Sequence, residues 1–364
     1  MSSFRPSTTV AHVAMLVARL TLVVAAGAVL PRHSSAQDRL DFESRVIETD
    51  ALLQAVSPVS DRVVWFSGHD AAYAVTSDGG EQWHVGTVPD VGALQFRDVA
   101  AFDERRAFLM SSGPGDQSRI YRTEDGGARW TLQYMADHPD AFLDCMDFWT
   151  PEVGVAYGDA IDGSPFVLRT EDGGVHWDRV PQKDLPSAMD GEGGFAASGT
   201  CLVTGPDGRA WIATGNAARA RVLRTEDFGV TWSAVDAPVV GGNAAGLATL
   251  SMGPGGSGIA LGGVIGNDSI RTQNVAVTDD FGATWSVGGD LGMMGPVYGS
   301  ALVPGRPGLV VAVGPRGVDW SSDGGFTWQS GDARTHWAVD FTPGGTGWAV
   351  GPRGRVHRLR FQGG

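Results

Sequence analysis

Thr76-Ser-Asp-Gly-Gly-Glu-Gln-Trp83 is the first of six variations on one theme. It returns as Thr123-Glu-Asp-Gly-Gly-Ala-Arg-Trp130, Thr170-Glu-Asp-Gly-Gly-Val-His-Trp177 and Thr225-Glu-Asp-Phe-Gly-Val-Thr-Trp232. Two more copies are Thr278-Asp-Asp-Phe-Gly-Ala-Thr-Trp285 and Ser321-Ser-Asp-Gly-Gly-Phe-Thr-Trp328. The shared pattern is S/T-x-D-x-G-x-x-W, with successive tryptophans 43 to 55 residues apart. Recurrence at that period marks an architecture of stacked supersecondary units.

The chemistry of the motif is that of a tight hairpin. The carboxylates of Asp78, Asp125, Asp172, Asp227, Asp280 and Asp323 are placed to accept backbone N–H groups in an Asx-turn. Gly80, Gly127, Gly174, Gly229, Gly282 and Gly325 suit a positive-φ position, and the Trp covers the turn as the next strand begins. Calcium or sugar binding is the functional alternative. Because the motif has the same role in every unit, its expected task is to fasten hairpins.

Each box follows two strand signals. One is a short apolar run ending in Gly, as in Val63–Gly68, Val153–Gly158, Ala210–Gly215, Leu309–Gly314 and Gly347–Gly351. The other alternates into the box, as in Ser118–Thr123, Phe166–Thr170, Arg221–Thr225 and Val318–Ser321. A further strand opens the unit, as in Phe96–Phe102, Phe142–Phe148 and Trp337–Phe341. Four strands in roughly 45 residues make a propeller blade. A seventh unit begins near Trp337 and ends in Arg355–Phe361 without box or outer strand. Ser44–Thr49, which has no partner ahead of the first unit, is expected to supply that strand and close the ring. The expectation is an all-β, seven-bladed β-propeller of four-stranded antiparallel blades, closed by the N-terminal strand.

Composition agrees with a turn-dense β protein: 53 Gly among 364 residues, 19% charged and 42% hydrophobic. Residues 1–36 read as a signal peptide, with Arg5, the apolar run Leu20–Leu30 and Ser34-Ser35-Ala36 before the cleavage point. A run of eleven residues is too short to span a bilayer. Residues 37–364 then form one propeller domain, periplasmic or secreted, with no stable membrane span and expected to be a monomer. Cleavage would remove three arginines and no acid, taking the formal charge from −14 to −17. That balance disfavours nucleic acid as a partner. Cys145 and Cys201 fall on the first strands of adjacent blades. An oxidising compartment allows a bridge between them, although two buried free thiols are the expected outcome.

Beyond the boxes, several stretches are similar to the photosystem II stability/assembly factor-like family. They are Phe96-Arg-Asp, Asp144-Cys-Met-Asp-Phe-Trp149, Gly191-Glu-Gly-Gly-Phe-Ala-Ala-Ser-Gly-Thr200, Ala218–Trp232 and Gly347-Trp-Ala-Val-Gly-Pro-Arg-Gly-Arg355. The resemblance covers about residues 44–361. It implies an exported seven-bladed propeller acting as a binding or assembly scaffold; some bacterial relatives carry an oxidoreductase label.

Propellers bind ligands where the innermost strands converge on the channel mouth. Residues that break the apolar pattern there are Arg97, Asp98, Asp144, Asp147, Glu192, Ser198 and Thr200. Tyr298, Ser300 and His336 hold similar places in later units, and Arg219 and Arg221 flank the third strand of blade four. Each could equally be a polar residue satisfying strand ends; together they suit a peptide or small polar ligand. A sialidase-like or other glycoside hydrolase is the enzymatic alternative, since Asp boxes occur there too. It would need an Arg cluster and a Tyr nucleophile with an acidic partner, or paired carboxylates. Tyr157 and Tyr298 have no identifiable Glu partner in sequence, and the spacing of Asp144, Asp147 and Glu192 singles none of them out. No dinucleotide fingerprint, haem motif or metal-ligand spacing occurs, and His69, His84, His138, His176, His336 and His357 stand isolated in the sequence. The expected function is therefore binding of a protein or peptide partner, without cofactor or metal.

Overall fold

The computed structural model describes Met1 and residues 39–362. The apolar run and cleavage point expected within residues 1–36 lie outside the described residues. Seven four-stranded antiparallel sheets follow one another around an axis. The innermost strands are Leu53–Pro58, Phe96–Ala101, Leu143–Phe148, Leu202–Thr204, Ala245–Met252, Gly299–Leu302 and Ala338–Phe341. Each blade runs outward from its first strand to its fourth, so the expected seven-bladed propeller is what forms.

Blade 7 is built from Ala338–Phe341, Gly347–Gly351, Arg355–Gln362 and, outermost, Arg39–Arg45. The N-terminal strand does close the ring, but five residues earlier than Ser44–Thr49. It pairs antiparallel from Arg39 opposite Gln362 to Arg45 opposite Val356. The reason is alternation. Leu40 and Phe42 project onto the core shared with blade 6, against Trp320 and Leu359, as i, i+2 residues on one face must. Val46 is 90% exposed, and Ile47 turns into a different cluster beside Leu53 and Trp348.

The boxes hold the third strand to the fourth. In blade 3, Thr170 Oγ1 donates to Asp172 Oδ1 (3.0 Å) and accepts from the Gly174 N–H (2.9 Å). Asp172 Oδ1 accepts from the His176 N–H (2.9 Å), four residues further on. The same bonds recur in the other boxes. The repeated box glycine has φ between +73° and +97° in all six copies, which a side chain resists. Packing adds a second constraint. A Cβ at Gly80, Gly127 or Gly174 would collide with Trp348, Tyr73 or Phe108, residues of the preceding blade. The glycine thus shapes its own turn and seats it against the neighbouring sheet.

Candidate functional site

The channel through this ring is filled by the chain itself. Between the last strand of blade 3 (Asp178–Arg179) and the first of blade 4, the segment Gly191–Thr200 crosses the axis at the end opposite the boxes. The Ala196 carbonyl accepts from Gln54 Nε2 of blade 1 (2.7 Å) and Arg97 Nη1 of blade 2 (3.4 Å). Ser198 Oγ donates to the Tyr298 carbonyl beside blade 6 (2.7 Å) and meets Thr200 Oγ1 (2.6 Å). Thr200 Oγ1 in turn meets Thr249 Oγ1 of blade 5 (2.7 Å). Glycine permits this intimacy. A Cβ at Gly193, Gly194 or Gly199 would run into the carboxylates of Asp159, Asp144 and Asp98.

One end of this plug is pinned by charge and the other by a covalent bond. Glu192, 2% exposed, makes a two-pronged ion pair with Arg221, whose Nε lies 2.8 Å from Oε1. It also accepts from Thr214 Oγ1 (2.8 Å) and the Met189 N–H (2.9 Å). At the other end, Cys201 is bridged to Cys145, with Cα atoms 5.9 Å apart. The free thiols expected from sequence are thereby corrected. The plug brings Cys201 alongside the inner strand of blade 3, within the usual range for a disulfide.

Carboxyl groups lie under the plug. Burial, and then Asp159 close by, raise the Asp144 carboxyl well above its ordinary value. Burial takes Asp159 up to about 6. The Tyr157 hydroxyl is pushed far upward by burial and by Asp144, Glu192 and Asp159 around it. Tyr157 therefore does have acidic neighbours, a grouping its sequence position hid. Its hydroxyl and Asp144 Oδ2 are both buried without a hydrogen-bond partner among the described residues.

Beyond the plug, the axial space is a cavity of about 330 Å³. It reaches the box-side loops at Phe102 and Trp149–Pro151, and Ser57, Asp98, Asp147, Asp340, Ser198 and Thr200 supply its polar wall. Asp98 accepts the Val99 (2.7 Å) and Met146 (2.6 Å) N–H groups. Asp147 accepts the Phe148 N–H (2.8 Å) and the Thr204 N–H (2.7 Å). Asp340 accepts the Phe341 N–H (2.8 Å). Burial raises all three carboxyls, Asp340 to about 7. Sequence reading missed Asp340, although the Asp-Phe pair it shares with Asp147-Phe148 was a signal.

The remaining candidates are dispersed. Arg219 is exposed and paired with Asp236 (2.9 Å). Ser300 bonds to Thr249 Oγ1 (2.9 Å), and Tyr298 stacks on Trp337 at 4.5 Å. His336 is fully buried, 2.8 Å from His357, so these two histidines are not isolated in space. His69 likewise meets Gln54 Oε1 (2.8 Å).

No protein-family model and no curated protein matches the chain. Solved structures do. YCF48 bound to D1 peptide is 18% identical, with a TM-score of 0.59 over 87% of this chain and 94% of that one. YCF48 from Cyanidioschyzon merolae is 14% identical, at 0.62 over 88% and 98%. The GH74 xyloglucanase from Xanthomonas campestris is 14% identical, at 0.62 over 88% of this chain and 55% of its own. At such identities the chain shares with these proteins the propeller fold.

Proposed function

We propose that the protein is an exported scaffold that takes a protein or peptide partner at its axis, in the cavity framed by Asp98, Asp147 and Asp340. The observation that carries this reading is the blind cavity. Its floor is the chain's own plug, and its walls are rigid inner strands bearing carboxylates from three blades. A pre-formed, polar pocket of about 330 Å³ suits one inserted side chain, and buried carboxyls that an entering cation would ionise suit a lysine or arginine. The YCF48 structure with a D1 peptide supports a peptide partner on this fold. The Cys145–Cys201 bridge supports an oxidising compartment.

Titration calorimetry with an arginine-bearing peptide and its glutamate counterpart tests the reading. Tight binding of the first only, weakened at least tenfold by Asp147→Asn with Asp340→Asn, is the expected result. Equal affinity for both peptides would sink it. A glycoside hydrolase is the second reading, because Asp340, held up to about 7, could act as an acid beside Asp147. Turnover of xyloglucan by the wild type, lost in the same double variant, would favour it.

A further inference from the structure

Each box glycine abuts a side chain of the preceding blade, and at five of the six interfaces that side chain is a ring. A Cβ at Gly80, Gly127, Gly174, Gly229 or Gly282 would meet Trp348, Tyr73, Phe108, Trp149 or Trp211 within 3.1 Å. Between blades 5 and 6 the rule breaks: a Cβ at Gly325 would meet Ile259. Ile259 holds the second position of Gly258–Val264, as Trp211 does in Ala210–Ala213. A branched aliphatic side chain thus stands where the interface before it carries an indole.

Beside Ile259 lies a cleft of about 380 Å³, with Val277, Leu302 and Phe326 as its other apolar walls. Ile259 and Val277 face each other on paired strands and are buried, whereas Phe326 is 59% exposed at the lip. An exposed ring above an apolar floor is costly to leave in water and favourable to cover. The cleft shares no lining residue with the axial cavity.

The neighbouring interface indicates what would fill it. There, Trp211 Nε1 donates to the Phe281 carbonyl of the blade 5 box (2.7 Å). Its counterpart in the blade 6 box is Gly324, since both residues immediately precede the box glycine. Both have positive φ, +57° and +78°, so the backbone turns the same way at each. Gly324 lines the cleft, and its carbonyl accepts no hydrogen bond among the described residues. Asp279 and Asp323 stand at the mouth, and Asp279 is exposed. We propose that the cleft between blades 5 and 6 binds a small molecule composed of an indole ring and a cationic amine.

In this site the ring lies against Ile259 and Val277 and under Phe326, and its N–H is donated to the Gly324 carbonyl. The amine stays at the mouth beside Asp279, where the carboxylates select it over an indole bearing an acid. Ring burial supplies the affinity, and the single N–H bond fixes the orientation. Because two of the walls are paired strands, the pocket is ready before the ligand arrives and little ordering is needed.

Titration calorimetry of the full chain with tryptamine tests the site, and saturable binding of one equivalent is expected. Tryptamine methylated on the ring nitrogen, which cannot donate, should bind about tenfold more weakly, and indole-3-acetate more weakly still. Ile259→Trp should abolish binding by filling the cleft from within, at an unchanged or higher melting temperature. Phe326→Ala, a change at an exposed position, should weaken binding about three- to tenfold without touching the fold. Asp147→Asn with Asp340→Asn should leave tryptamine affinity unaltered. No saturable binding, equal affinity for the methylated ring, or full affinity in Phe326→Ala would overturn the proposal. So would loss of binding in the Asp147 and Asp340 double variant, which would put the amine at the axis instead. Failure of this site leaves the arginine-peptide test of the axial cavity standing on its own result.

Discussion

The box-bearing rim and the axis of this propeller are made by opposite means. On the rim, six hairpins repeat one set of local bonds, each spanning two to four residues. At the axis, the contacts to the plug differ from blade to blade. Gln54, Arg97 and Tyr298 reach a single inserted segment across 142, 99 and 100 residues of sequence. Uniformity on the rim keeps the ring regular; the centre, where the contacts differ, is the region to which the proposed function assigns binding. Substitution in the two regions should therefore have different consequences, stability for the rim and both stability and binding for the axis.

The sharpest way to break the ring is to remove its closing strand. Deleting residues 37–50 takes away Leu40, which is buried, and Phe42, which packs on the same core. At about 1.5–3 kcal/mol for each fully buried side chain, the loss should be about 3 kcal/mol or more by denaturant melting. An unchanged midpoint would show that the closure contributes nothing. Next comes the covalent anchor of the plug. Cys145→Ser with Cys201→Ser opens a link across 56 residues and should lower stability by about 2–4 kcal/mol. If the axis is the working region, affinity for the arginine-bearing peptide should fall as well.

On the rim, Asp172→Ala leaves turn N–H groups unpaired and should cost about 1–3 kcal/mol, with peptide affinity unaltered. Lost binding at intact stability would make the box a functional element. The last contrast is the response to pH, in which the two regions oppose each other. Buried Asp159 and Asp340, raised to about 6 and 7, favour the folded state while protonated, so their contribution is lost as pH rises through those values. Asp172 and Asp280, drawn down to about 2 mainly by bonds to His176 and Thr284, stabilise above about 3.8 and lose that effect toward pH 2. The boxes are solvent-exposed and screened, so their share is slight. Melting temperature should peak near pH 4–5; a steady rise to pH 8 would contradict the carboxyl assignments.

The blades were legible in the sequence because their cues are short-range. A Thr or Ser, an Asp and a Gly within five residues define a turn in every box. Arg39–Arg45 was harder to place. Its apolar residues alternate with charges, and only pairing with Arg355–Gln362 reveals which face is inward. The plug left no periodic trace, since a run of glycine, alanine and serine takes its shape from the walls around it. Asp144, Glu192 and Ser198 do lie near one axis, but buried, Glu192 and Ser198 within the plug and Asp144 against it. The disulfide, the Asp159 neighbourhood and the His336–His357 contact all depend on residues far apart in sequence coming together, which no local pattern encodes.

The closing strand also has a consequence in time. Ser44 and His357 stand 313 positions apart, yet they lie side by side in the last sheet to be completed. Contacts of such separation form slowly, because the loop-closure entropy must be overcome before any bond rewards it. Blades 1 to 6 can assemble as they emerge from synthesis, whereas blade 7 must wait for Arg355–Gln362. Until then the chain is an open horseshoe with an unpaired edge at each end, and that interval is its window of greatest exposure to aggregation and proteolysis.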